Sequence, residues 1–321
     1  MKAAQIAQTG GPEVLQYVDV ADPGPGPGQA LVEIKVIGVN YADVYARSGL
    51  NPPALPAILG IEAAGIVTEV GPDVAEVAPG DSVAYTGVPS AYAERVVVPS
   101  WRLIKLPHGM DAATGAAAML QGMTAHYLCH ATYALKAGET ALVHAGAGGV
   151  GLLLIQMCKE IGARVITTVS TEAKAELAKE AGADHAVLYT QQDFAAEVMR
   201  ITDGAGVQVA YDSVGQTTFD QSVSCLSRRG YMVLFGQSSG PVPPVPIGTL
   251  NAKSLFLTRP GLGDYTATRE ELVQRAGDVL GWVASGKLKL RIHDTFPLAD
   301  AAEAHRQLEG RATTGKLLLM P

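Results

Sequence analysis

The stretch "HAGAGGVGLLLIQ", residues 144–156, sets four glycines between positions 146 and 151 and then runs straight into apolar residues. Glycine costs conformational entropy wherever it is fixed, so such a cluster implies that backbone must approach something closely. Gly146, Gly148 and Gly151 satisfy G-x-G-x-x-G. Alone the pattern is weak, but here it follows a strand-like run, "TALVHA" (140–145), and opens a helical one at 150–161. In that setting the first glycine allows the tight turn, the second lets backbone approach a pyrophosphate, and the third lets the helix pack close to the strand. The first N–H groups of the helix then point at the negative charge. The stretch reads as a dinucleotide-binding βα unit, and the plainer alternative is a tight turn with no ligand.

Five more strand-like runs follow: "ARVITTVS" (163–170), "ADHAVLY" (183–189), "VQVAYDSVG" (207–215), "GYMVLFG" (230–236) and "SLFLTR" (254–259), most of them separated by helical segments. Strands alternating with helices imply right-handed parallel βαβ units, and six such strands make a doubly wound sheet. "TREELVQRAGDVLGWVASG" (268–286) reads as an amphipathic helix capped by Thr268 and stopped at Gly286.

Upstream the texture differs. "ALVEIKVIGV" (30–39), "AAGIVTEVG" (63–71), "DSVAYTG" (81–87) and "AYAERVVVP" (91–99) read as strands punctuated by Gly/Pro turns such as "DPGPGPGQ" (22–29), giving a mostly antiparallel, barrel-like β domain. A helix, "DAATGAAAMLQGMTAHYLCHATYAL" (111–135) with Asp111 as N-cap, joins the two textures. The tail, with "LKLRIHDTFPL" (288–298), the helical "ADAAEAHRQLEG" (299–310) and "GKLLLMP" (315–321), resembles the first third. The expected organisation is therefore a β-rich domain of residues 1–120 and 287–321 with a parallel-sheet nucleotide-binding domain, 121–286, inserted in it.

Composition agrees with an α/β enzyme of about two domains: 321 residues, 36 Gly, 19 Pro and only 6% aromatic side chains. A formal charge of -7 with no run of Lys or Arg argues against a nucleic-acid partner. Cys129, Cys158 and Cys225 form no CxxC pair, so spacing builds neither a disulfide framework nor a zinc knuckle, and they read as buried thiols of a cytoplasmic protein. No run reaches the ~18 apolar residues of a membrane span. His126 and His130 lie four apart with no third ligand beside them and read as ordinary helix residues.

The nucleotide is read from the end of the second parallel strand, "TTVSTEAK" (167–174). NAD enzymes place an Asp or Glu there for the ribose hydroxyls. Here Val169 or Ser170 holds that place and Lys174 follows, a pair able to bind a 2′-phosphate that a carboxylate would repel. NADPH is favoured over NADH, with Glu172 as a solvent-facing early helical residue.

"GVNYADVYARSG" (38–49), "LGIEAAGIVTEVG" (59–71), "VHAGAGGVG" (143–151), "YDSVG" (211–215), "FGQSSG" (235–240), "TRPGLGDYTATREEL" (258–272) and "RATTGKLLL" (311–319) occur in that order. Together they make the chain resemble, over essentially its whole length, the zinc-free quinone oxidoreductase (zeta-crystallin-like) branch of the medium-chain dehydrogenase/reductase superfamily. The resemblance implies a GroES-like β-rich catalytic domain plus a Rossmann domain, a homodimer, and NADPH-dependent reduction of a quinone by hydride transfer. Zinc-dependent members have a Cys where this chain has Asn40 and a His where it has Ile61, and they carry a four-Cys lobe that is missing here. No metal is therefore expected, since zinc needs three or four ligands in place.

Matched by position, the resemblance puts Asn40 and Tyr45 beside the nicotinamide and substrate, able to hydrogen-bond the carboxamide or the acceptor oxygen, and Thr124 at the nicotinamide end. It puts Gly146, Gly148, Gly149 and Val150 along the pyrophosphate, and Ser170, Lys174 and Tyr189 around the adenosine 2′-phosphate. Ser213, Phe235, Gly236 and Ser238 follow the fourth and fifth parallel strands, and Arg311 returns from the tail toward the cofactor. Asn51 and Gln121 depart from close bacterial relatives, which carry Tyr and Lys there, so the acceptor preference is the part least transferable. Two other functions fit the same residues. One is reduction of an activated C=C bond with Tyr45 as proton donor. The other is a noncatalytic NADPH-binding or RNA-binding role, whose RNA form the acidic charge opposes. The apolar sixth strand, "SLFLTR", is a sheet edge that invites pairing with a second copy.

Overall fold

The computed structural model describes all 321 residues. The chain folds into two compact units, Met1–Met123 with Thr266–Pro321, and Thr124–Tyr265.

The first unit is organised by one long strand, Gln29–Val39. Glu62–Val70 pairs along one edge of it, while Arg95–Pro99 pairs with its first half and Lys316–Met320 with its end, all antiparallel. Register shifts at Leu31/Val32 and Ile34/Val36 mark irregularities, of the kind that bend and twist a strand. Ser82–Thr86 and Ile104–Lys105 continue the sheet on one side, and Ile292–Pro297 lies parallel to the last strand on the other. Apolar side chains alternating along these strands, among them Val32, Ile34, Ile37, Val67 and Val83, bury one face with Leu298, Ala301 and Ala304. A three-stranded antiparallel sheet, Gln16–Asp19, Lys2–Ile6 and Ala57–Ile58, completes the β-rich part.

The second unit is a six-stranded parallel sheet. Its order is His185–Leu188, Arg164–Val169, Thr140–Val143, Val207–Asp212, Leu226–Leu234, Phe256–Thr258. Counted along the chain this is 3-2-1-4-5-6, the doubly wound order, which reverses direction between the first and fourth strands. Its helices are bounded by local chemistry. Thr171 accepts the Lys174 N–H to start Glu172–Glu180, Asp193 accepts from Ala195 and Ala196 to start Phe194–Ile201, and Gly162, left-handed at φ 90°, stops Gly149–Ile161.

Two features depart from expectation. The helix that joins the two textures is α-helical over Ala112–Tyr127 and then takes one π-helical turn, Leu128–Thr132. The compact units also divide at other residues than the change of texture at 121 and 287 suggests. Helix Arg269–Ala284, capped by Thr268 as read, belongs to the β-rich unit. Arg269 donates to the carbonyls of Trp101 (2.6 Å) and Leu103 (2.7 Å), and Val279 lies against Gly122, where a Cβ would come within 2.5 Å of it. No helix is long and apolar enough to cross a membrane.

Candidate active site

In the parallel-sheet unit the expected residues gather at the carboxyl ends of the strands, where ligands of such sheets bind. After strand Thr140–Val143 the chain turns through Ala145 at φ 54°, and the Gly146 N–H reaches the Thr168 carbonyl (3.1 Å). A Cβ on Gly146 would lie 2.0 Å from the Thr167 hydroxyl, and one on Gly151 would lie 2.3 Å from the Ala145 carbonyl oxygen. Both positions therefore favour glycine for close packing, the first against Thr167 of the neighbouring strand and the second of helix on strand. Gly148 is the N-cap of helix Gly149–Ile161, and having no side chain it leaves the first helical N–H groups, those of Gly149 and Val150 among them, without a side-chain cap.

Across the neighbouring strand end, Ser170, Thr171 and Lys174 open helix Glu172–Glu180, and no carboxylate ends the strand. Tyr189 donates its backbone N–H to Val169 (3.2 Å) and keeps an exposed ring, and the Thr190 hydroxyl donates to the Ser170 carbonyl (3.0 Å). Glu172 is exposed, as read. On the other side of the glycine turn, the Phe235 N–H bonds to the Asp212 carbonyl (2.9 Å) and the Ser238 N–H to the Ser213 carbonyl (3.1 Å). A Cβ on Gly236 would lie 2.6 Å from that Ser213 oxygen. The structure thus brings Ser213, Phe235, Gly236 and Ser238 into one paired loop. Thr124 is buried in its helix.

The sequence reading missed what holds these loops together. His144, buried at the end of the first parallel strand, shares hydrogen bonds with Thr168 through Nδ1 (2.8 Å) and with Ser222 through Nε2 (2.8 Å). Ser222 and Thr218 donate to Asp212 Oδ2 (3.2 and 2.7 Å), and Asp212 Oδ1 accepts the N–H groups of Val214 (2.7 Å) and Gly215 (3.0 Å). Burial pushes the His144 pKa down, partly offset by Asp212, so the ring is neutral and links three strand ends without charge. A polar residue directly before the glycines, and the Asp of "YDSVG", were the available signals.

In the β-rich unit, Asn40 ends the long strand and serves as N-cap of helix Tyr41–Ser48, its backbone N–H donating to Asp43 Oδ2 (2.8 Å). Its side chain Nδ2 donates to Glu62 Oε2 (2.9 Å) and to the Gly38 carbonyl (3.2 Å), and its Oδ1 accepts from Lys316 Nζ (2.8 Å). Lys316 also pairs directly with Glu62, whose Oε1 accepts the Leu120 N–H (2.5 Å). Asn40, Glu62 and Lys316 are 4%, 0% and 1% exposed. Both side-chain N–H groups of Asn40 therefore have partners inside the protein. Tyr45 lies one turn beyond Tyr41 with ring centres 5.9 Å apart, and the Asn51 N–H bonds to its carbonyl (3.1 Å). Arg311 sits in a left-handed turn (φ 55°) after helix Ala301–Glu309, its charge felt by Tyr41, whose hydroxyl donates to the Leu308 carbonyl (3.2 Å). The residues do not make a zinc site: no three His, Cys, Asp or Glu side chains gather anywhere, and Ile61 has no ligand atom.

Comparison with known proteins decides the family. The chain is 45% identical to a quinone oxidoreductase of Pseudomonas aeruginosa over 100% of its own length and 99% of the other's. It belongs to the zinc-free quinone oxidoreductase branch of the medium-chain dehydrogenase/reductase superfamily. Two family models match within it, "Alcohol dehydrogenase GroES-like domain" over residues 26–108 and "Zinc-binding dehydrogenase" over 149–277. Among solved structures, the Escherichia coli quinone oxidoreductase complexed with NADPH superposes with a TM-score of 0.98 at 43% identity, covering 100% of both chains. A 2-haloacrylate reductase of a Burkholderia species is 40% identical over 99% of this chain and 98% of its own. The β-rich and parallel-sheet units of this quinone oxidoreductase family member are its GroES-like and Rossmann parts.

Proposed function

We propose that this chain is an NADPH-dependent quinone reductase that works without a metal. The observation that carries the reading is the end of strand Arg164–Val169, where no carboxylate ends the strand, Ser170 and Lys174 stand at a helix N-terminus, and the one acid of that helix's first turn, Glu172, is exposed. That setting suits the 2′-phosphate that distinguishes NADPH from NADH, and the E. coli relative was solved with NADPH. The glycine turn fits the rest of the cofactor. Gly146 and Gly151 leave no room for side chains, and the helix start has no side-chain cap.

In this reading Gly146, Gly148, Gly149 and Val150 hold the pyrophosphate, and Ser170, Lys174 and Tyr189 hold the 2′-phosphate end. Ser213, Phe235, Gly236 and Ser238 line the middle, Thr124 the nicotinamide end, and Arg311 adds charge. Asn40 offers a carbonyl oxygen, and Tyr45 a hydroxyl to the oxygen of the molecule being reduced. NADPH, when bound, supplies the hydride. The protein contributes orientation and exclusion of water. The edge strand Phe256–Thr258, with Phe256 and Leu257 47% and 37% exposed, serves as the contact of a homodimer. Three free, buried cysteines suit a cytoplasmic enzyme.

The test is steady-state oxidation of NADPH and NADH by chelator-treated protein with 1,4-benzoquinone. Turnover with NADPH at least tenfold above NADH, with that preference lost in Lys174→Ala, is the expected outcome. Equal use of both cofactors overturns the role of Ser170 and Lys174. The 2-haloacrylate reductase relative supports a second reading, reduction of an activated C=C bond with Tyr45 delivering the proton. Turnover of 2-chloroacrylate but not of benzoquinone selects it, and tight NADPH binding with neither substrate turned over selects a binding role.

A further inference from the structure

Ala145 stands between strand Thr140–Val143 and the glycines in a left-handed conformation, φ 54°. That region costs a residue with a Cβ roughly tenfold in population, and costs glycine nothing. The Ala145 side chain is exposed, so packing of its own does not hold it there. Its two neighbours do, and Thr168 grips both. The Thr168 hydroxyl bonds to His144 Nδ1 (2.8 Å), and the Thr168 carbonyl accepts the Gly146 N–H (3.1 Å). His144 is fixed from the other side by Ser222 at Nε2 (2.8 Å) and by its own backbone N–H on the Tyr211 carbonyl (3.1 Å). Counting hydrogens gives the neutral ring one tautomer. The Ser222 hydroxyl faces the Thr218 carbonyl (2.8 Å) and the carboxylate Oδ2 of Asp212 (3.2 Å), which only accept. Its hydrogen goes to them, so His144 Nε2 donates to the Ser222 oxygen. Nδ1 is then bare and accepts the hydrogen of the Thr168 hydroxyl.

We infer that His144 is a positioning residue for the cofactor: its bonds to Thr168 and Ser222 keep Ala145 left-handed, and with it the glycine turn in the shape that meets a pyrophosphate. This rests on the reading of the chain as an NADPH enzyme. The link runs through the backbone. The Ala145 carbonyl accepts the N–H of Gly148 (2.9 Å), the N-cap of helix Gly149–Ile161. When Ala145 leaves the left-handed region this carbonyl turns away from Gly148, and the first helical N–H groups lose the place from which they face the phosphates. His144, itself 1% exposed, acts through the turn and not by touching the ligand.

The experiment is a double-mutant cycle on the full-length protein, read as NADPH dissociation constants by fluorescence titration. His144→Phe keeps a ring against Phe194, whose centre lies 4.9 Å away, and removes both ring nitrogens. It weakens binding about tenfold, the population that Ala145 loses once the clamp is gone. Made together with Ala145→Gly, the same substitution weakens binding less than threefold relative to Ala145→Gly alone, because glycine enters the left-handed region without the clamp. Damage to core packing would cost the same in both backgrounds. Thr168→Val, which removes the hydroxyl and keeps the carbonyl, goes through the same cycle with Ala145→Gly and shows the same pattern. It carries the test where thermal unfolding shows that His144→Phe does not fold. Equal losses with and without Ala145→Gly overturn the inference, as does a folded His144→Phe that binds NADPH as the wild type does. A wild type that binds neither NADPH nor 2′-phospho-ADP-ribose overturns the proposed function itself, and the inference with it.

Discussion

Asp43 and His305 sit on either side of the Tyr92 hydroxyl, 3.1 and 3.0 Å from it, and both are buried. Burial pushes the Asp43 carboxyl up to about 7, with the Asn40 N–H, Lys316 and Tyr92 opposing the rise. Burial, aided by the Arg47 charge, pushes His305 down to about 3. Glu62 adds to the rise of Asp43, and Glu309 pairs with Arg47 at 2.7 Å. For Asp43 the folded state holds a proton that the unfolded chain releases near pH 4, so its contribution to stability is full below pH 4 and is lost as pH rises to about 7. For His305 the unfolded chain takes up a proton near pH 6.5 that the folded state refuses, so its contribution is full above pH 6.5 and is lost on going down toward pH 3. The two slopes oppose each other. Asp43→Asn removes one of them, so its unfolding free energy minus that of the wild type is expected to climb by roughly 3 kcal/mol between pH 4 and 7. Urea unfolding across that range measures it, and a difference independent of pH contradicts the assignment.

At the level of elements, the glycine turn and the helix Arg269–Ala284 make opposite cases. A Cβ on Gly151 meets backbone, which cannot step aside, so Gly151→Ala is expected to push the helix off its strand and weaken NADPH binding at least tenfold, read by fluorescence titration. Gly277 is exposed in mid-helix with nothing within 4 Å of a Cβ, so Gly277→Ala is expected to raise stability by about 0.5–1 kcal/mol and leave binding unchanged, read by denaturant unfolding. The six parallel strands and the turn at 146–151 were legible because strand period, glycine placement and cap chemistry are local. The ends of helix Arg269–Ala284 were legible for the same reason, through Thr268 and the glycine at 286. The unit on which that helix packs was not, since its anchor, Arg269 on the Trp101 and Leu103 carbonyls, spans 168 and 166 residues of sequence.

At the level of the molecule, the strand Phe256–Thr258 leaves one edge of the parallel sheet unpaired and apolar. On the homodimer proposed above, the wild type is expected to sediment as a dimer at micromolar concentration and Leu257→Lys as a folded monomer. A variant that still sediments as a dimer moves the contact elsewhere. That Gly146, Ser170, Ser213 and Phe235 lie at the carboxyl ends of the parallel strands was readable by position, because a doubly wound sheet gathers its strand ends whatever the side chains between them. The sequence by itself determined the order of the elements, the glycine turn, the strand end without a carboxylate and the absence of zinc ligands, all set by residue type at short spacing. Only the tertiary structure decided what Asn40 can do. Its partners, Glu62 and Lys316, are 22 and 276 residues away, and their charges set the direction of the amide. No local pattern encodes a hydrogen bond whose direction is fixed by an ion pair assembled from three strands.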